Sequence, residues 1–178
     1  MTERLTVSEV LMGLVERPVE TLLRRWNWKA AILSACVRGA IFFAANLGAG
    51  LRAAAGAMLV ESALYAAIAG FYGAIVQSFR RAQPAWLATM TVMALLPAVN
   101  HSLEFTLHSL AGTAKIGTGI AVSILFSMIS AAFNLFAMRR GALIVGVDRQ
   151  SLLADIRQMP RIIFDFATAL PRLLWRKP

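Results

Sequence analysis

The 178-residue chain is poor in the side chains from which most active sites are built. It holds one cysteine, Cys36, and two histidines, His101 and His108. A single cysteine excludes an internal disulfide and a thiolate metal cluster. Placed inside an apolar stretch, Cys36 reads as a small packing residue, because an apolar surrounding raises a thiol pKa and suppresses its reactivity. Acidic residues are scarce as well, 9 against 18 Lys and Arg. Gly-x-Ser-x-Gly, a Walker loop, a dinucleotide-binding glycine pattern and a paired-cysteine zinc motif are all missing. These absences point away from an enzyme and name no cofactor. The +9 net charge comes with no RNA- or DNA-binding module, so nucleic acid is not the implied partner.

What the chain has in abundance is apolar length. Hydrophobic residues make up 58% of it and charged residues 15%, a composition outside the range of ordinary soluble domains. The pattern predicts an all-α, polytopic membrane protein with four transmembrane helices, at about 30–47, 54–76, 86–108 and 119–138. Trp26, Trp28 and Lys29 open the first span as an aromatic and cationic interfacial anchor. The spans occupy a transmembrane domain over residues 29–140, between an amphipathic N-terminal segment (1–28) and an amphipathic tail (141–178).

The cations fix an orientation. Arg4, Arg17, Arg24, Arg25 and Lys29 precede the first span, and Arg80 and Arg81 follow the second. Arg139, Arg140, Arg149, Arg157, Arg161, Arg172, Arg176 and Lys177 follow the fourth, so fifteen of the 18 cations lie on one side. Arg52 and Lys115 lie on the other, and Arg38 lies within the first span. By the positive-inside rule both termini are cytoplasmic, the layout of a bacterial inner-membrane protein. Glu3, Glu9, Glu16 and Glu20 interrupt the N-terminus, which is no cleavable signal peptide.

Both ends read as interfacial helices. Thr6 followed by Glu9 forms a capping-box pattern ahead of Val7, Val10, Leu11 and Leu14, and Pro18 opens a second short helix. In the tail, Leu152, Leu153 and Ile156, then Ile162, Ile163 and Phe166, then Leu170, Leu173 and Leu174 predict short helices punctuated by Pro160 and Pro171. Arginines between the apolar residues suit an anionic lipid surface; a partner membrane protein or a second copy would use the same faces.

The polar residues inside the spans are the candidate site residues, because an ionisable group in hydrocarbon needs a partner or water. Arg38 and Glu61 are equally far from the turn at Ala49 and Gly50, so an antiparallel hairpin brings them to the same depth. The third span carries Asn100, His101, Glu104 and His108 within an arc of about 100°, beyond the helix-kinking Pro97. This face could bond across helices, line a water-filled path or hold a metal. His101 and His108, about 10.5 Å apart in helical rise, are too distant to share one ion or haem. His101, Glu104 and His108 are therefore only weak metal candidates. In the fourth span Ser123, Ser127, Ser130 and Asn134 recur at heptad-like spacing, and in the second Ala66, Gly70 and Ala74 recur every four residues; both patterns suit close helix packing.

Three functions follow from these residues. A small membrane subunit or scaffold without chemistry of its own accounts for the packing faces, amphipathic ends and missing motifs. A transporter or proton- or ion-conducting component would use Arg38, Glu61 and the His101/Glu104/His108 face. A metal-dependent membrane enzyme would centre on that same face.

Overall fold

The computed structural model describes residues 5–110, 117–147 and 149–175; within these, the side chains of Asn100, residues 103–110 and 117–123, Phe126 and residues 170–175 are not described. Among the described residues the chain is all-helical, with one isolated β-bridge between Thr6 and Gln83.

Helix α1 (Val7–Glu16) starts at the predicted capping box. The Thr6 N–H donates to Glu9 Oε2 at 2.6 Å, and the Glu9 N–H donates to Thr6 Oγ1 at 3.3 Å. Together the two bonds satisfy backbone donors that a helix start otherwise leaves open. Pro18 then leads into a single π turn, Val19–Leu23.

Two antiparallel hairpins follow. Helix α2 (Trp28–Asn46) is capped by Asn27, whose Oδ1 accepts from the Ala30 N–H at 3.0 Å. It continues through a 3₁₀ turn, Leu47–Ala49, into α3 (Leu51–Ser78). Gly50 makes that reversal at φ 98°, a left-handed conformation costly for any residue with a Cβ. Helices α4 (Ala85–Leu110) and α5 (Gly117–Arg139) form the second hairpin, which meets the first along α3 and α5. Pro97 lies inside α4 without ending it.

The packed core sits at one end of these hairpins, where α2 begins, α3 ends, α4 begins and α5 ends. There Val7 and Val10 of α1 join Val76, Phe79, Ala88, Val92, Leu135 and Met138 in a buried cluster. The chain leaves α5 through a loop that folds back into this end, with Ala142, Leu143, Ile144 and Val145 buried. Leu143 adopts φ 57° between Gly141 and Gly146, both also at positive φ. A bulky residue seldom takes that conformation; here burial of Leu143 and use of its carbonyl offset the strain.

Helix α6 (Leu152–Trp175) closes the structure, and it departs from expectation. The tail is one continuous helix rather than short helices broken at Pro160 and Pro171. Pro160 sits on the exposed face, where the carbonyl it leaves without a helical donor, that of Ile156, can be solvated.

Of the four expected spans, the first two are met among the described residues. Among the described residues two helices are long and apolar enough to cross a membrane: Trp28–Ala49, of 22 residues and mean hydropathy 1.7, and Leu51–Ser78, of 28 residues and mean hydropathy 1.6. Within α4 the apolar described stretch is Ala85–Val99, shorter than a span.

Candidate functional site

Polar side chains are brought together at three levels of the fold. The deepest lies where the core is, and sequence reasoning missed it. Lys29, read as an exposed interfacial anchor, is instead fully buried in the first turn of α2. Its Nζ donates to Asp155 Oδ2 of α6 and to the Gln150 carbonyl, each at 2.6 Å. Neither side chain of the ion pair is exposed to solvent. Removing two charges from water costs several kcal/mol per ion in general, and only close pairing with extra hydrogen bonds offsets it. Lys29 meets that condition with two acceptors. Asp155 does so less completely, because Oδ1 is buried with no hydrogen-bond partner among the described residues.

Asn27, two residues earlier, is also fully buried and ties together three segments. Its backbone N–H donates to the Gly70 carbonyl at 3.0 Å, and its Nδ2 donates to the Leu143 carbonyl at 2.8 Å and to Gln77 Oε1 at 3.1 Å. Gln77 in turn clasps Val145, accepting from its N–H at 3.0 Å and donating to its carbonyl at 2.8 Å. The result is a buried network that fixes the start of α2, the end of α3 and the returning loop in one register. Such networks specify a single arrangement when their members are satisfied.

The small-residue face of α3 serves this network. A Cβ on Gly70 would overlap the Trp26 indole, whose Nε1 donates to the Ala67 carbonyl at 3.4 Å. A Cβ on Gly73 would come within 2.8 Å of the Asn27 Cβ. Gly70 and Ala74 are buried and Ala66 half-buried, and the packing partner here is the segment that opens α2.

Midway along the first hairpin, Arg38 Nη1 lies 3.3 Å from Glu61 Oε1, the equal-depth partnership that their distances from the turn predict. The guanidinium also stacks over the Tyr65 ring at 3.7 Å, a cation–π contact in which the electron-rich ring face attracts its charge. Beside this pair the backbones approach closely: Ser62 Oγ donates to the Ala35 carbonyl at 3.1 Å, and a Cβ on Gly39 would strike Ser62 Oγ. Cys36, expected to pack inside, is exposed on the outer side of α2. The reason is that Arg38, Gly39 and Ala35 take the inward face.

The third level is a cleft of about 530 Å³ between α4 and α5, lined by Met93, Ala94, Pro97, Ala98, His101, Ser102, Ile124 and Met128. Pro97 has no N–H to give the Met93 carbonyl, which faces the same turn of helix. His101 is half-buried at this cleft. The side chains of its expected neighbours Asn100, Glu104 and His108 lie outside the described residues, as does that of Ser123. Ser127, Ser130 and Asn134 are half-buried along α5.

A readable signal existed for the missed ion pair. Asp155, Met159, Ile162 and Phe166 recur at spacings of four, three and four, so the carboxylate falls on the stripe that α6 buries. An acid on the buried stripe of an arginine-rich helix demands a cation from elsewhere, and Lys29 is the buried one. Protein-family models, curated proteins and solved structures offer no match to this chain.

Proposed function

We propose that the protein is an integral membrane subunit or scaffold that holds its place in a larger membrane assembly and performs no chemistry of its own. The observation that carries this reading is the exposure of α2 and α3. Both meet the length and apolarity of a membrane span, yet only 17% and 28% of the most apolar window of each is buried within the chain. A core helix of a water-soluble protein is mostly buried. Here Ile32, Val37 and Ile41 on α2 and Leu59, Val60 and Leu64 on α3 face outward, the surface that lipid or neighbouring helices cover. The charges within the hairpin support the same reading, since Arg38 and Glu61 are committed to each other. On the finer reading, α4 and α5 also cross, giving four spans with both termini in the cytoplasm and the fifteen cations on that side.

Extraction of the full-length protein from native membranes in mild detergent, followed by affinity isolation and intact-complex mass measurement, tests this. A stoichiometric membrane-protein partner or a defined homo-oligomer is expected. Recovery as a single unaccompanied copy contradicts it.

One observation favours a second reading, a proton- or ion-conducting component. The cleft at Pro97 joins a turn of helix that lacks one backbone hydrogen bond to an imidazole beside Ser102, a combination able to admit water between α4 and α5. On that reading, purified protein in liposomes dissipates a pH gradient and His101→Ala slows it. No dissipation above that of empty liposomes rejects conduction.

A further inference from the structure

We propose that the outward face of α6 is a docking surface for anionic phospholipid, lying flat in the membrane interface at the end of the bundle where α2 begins and α5 ends. This rests on the membrane reading above and adds a specific face, depth and lipid charge to it.

The first turns of α6 are held to the first turn of α2 by Asp155 and Lys29. Ten residues on, about 15 Å along the helix, Asp165 pairs with Arg140 at the end of α5, 3.7 Å away. Phe166 beside it packs edge-on against Phe133 and Phe136, with ring centroids 5.4 and 5.3 Å apart. Both ion pairs lie at the same end of the bundle, the start of α2 and the end of α5, and Phe166 reaches one to two turns into α5, so the first half of α6 spans that end. If α2 enters the bilayer at Trp28, α6 lies at headgroup level.

The two faces of α6 differ in chemistry. The inward stripe, Asp155, Met159, Ile162 and Phe166, is buried or half-buried. Leu153, Ile156, Ile163 and Phe164 are exposed, Phe164 by 61%, and at 100° per residue they fall within an arc of about 100°. Arg157 and Arg161 are exposed along one edge of that arc. Both carboxylates of α6 are drawn inward, Asp155 to Lys29 and Asp165 to Arg140. The outward face therefore joins an unbroken apolar strip to a row of positive charge. An aqueous surface explains the arginines and not the four large apolar side chains. A neutral lipid surface explains the apolar strip and not the arginines. Anionic headgroups over acyl chains match both, with each arginine near the surface worth a few-fold in affinity.

The test uses full-length protein carrying Cys36→Ser, with an environment-sensitive fluorophore attached through Phe164→Cys or, separately, Ile41→Cys. Each is reconstituted into bilayers of zwitterionic lipid alone or with about a third anionic lipid, and quenching is measured with a spin label near the headgroup for position 164 and with one deep in the acyl chain for position 41. The label at position 164 is expected to be quenched in anionic bilayers. Arg157→Gln and Arg161→Gln are each expected to lower the docked-to-undocked ratio about fivefold. Quenching at position 41 without quenching at 164 overturns the lipid surface and leaves the membrane reading standing; it is the result that a face covered by a second copy would give. Quenching at 164 that ignores both lipid charge and the two arginines overturns the anionic specificity. No quenching at either position overturns the membrane reading itself.

Discussion

Lys29 and Asp155 show how differently one charged side chain reads in sequence and in space. Beside two tryptophans at the start of an apolar helix, Lys29 has every mark of an interfacial anchor, and nothing local reports that a residue 126 positions later reaches it. Truncating one member leaves the other charge buried and unpaired, so Lys29→Met or Asp155→Leu should each destabilise the purified protein by about 3–5 kcal/mol. The double substitution, which buries no charge, should recover most of that loss; denaturant unfolding of the three variants in detergent decides it. Arg38 and Glu61 were legible because hairpin symmetry alone sets their depth. A double-mutant cycle with Arg38→Gln and Glu61→Gln should give a coupling of about 0.5–3 kcal/mol, and additive single effects would show that the two side chains act separately.

Helix by helix, capping and periodicity carried the boundaries well, and the exceptions have physical causes. The Thr6/Glu9 box, the Pro18 break and the Gly50 reversal form as their residue types require. Pro160 misleads because a proline ends a helix only where its missing hydrogen bond cannot be replaced, and on an exposed face it can. The capping box also gives α1 a pH dependence. The Thr6 backbone N–H, then its hydroxyl, holds the Glu9 carboxyl below its ordinary value of 4.5. A depressed carboxyl favours the folded state above that ordinary value, and the contribution is lost as pH falls below 4.5 toward the folded-state value. Hydrogen exchange at the first amides of α1 should therefore lose protection relative to α3 as the pH is lowered through this range, after correction for intrinsic exchange; unchanged relative protection would show that the box does not hold the helix. On α3 the small-residue face was legible, though not what packs there. Gly70→Leu, which drives a side chain into Trp26, should destabilise by about 1–3 kcal/mol or more. Gly56→Leu, with open space around it, should change stability little, and comparing their thermal unfolding separates packing from helix propensity.

For the whole molecule, composition announced helices and a bilayer, and two helices carry that announcement in the structure. The returning loop Ala142–Val145 and the docking of α6 were not legible, because their placement depends on long-range bonds to Asn27, Gln77 and Lys29 that no local pattern encodes. These elements gather the packed core at one end and leave apolar helix surface bare along the rest. That division is the molecular basis for reading the protein as a membrane subunit: a rigid, polar-stapled end joined to a hairpin whose outer surface suits hydrocarbon. Cys36, the sole cysteine, lies exposed on that surface and reports on its surroundings directly. The decisive measurement is labelling of Cys36 by a water-soluble maleimide in purified wild-type protein reconstituted into liposomes. No labelling is expected from either side of the bilayer, since a thiol in hydrocarbon does not meet the water-soluble reagent, and full labelling is expected once SDS dissolves the membrane. Rapid labelling in intact liposomes would place α2 in water and contradict the membrane reading.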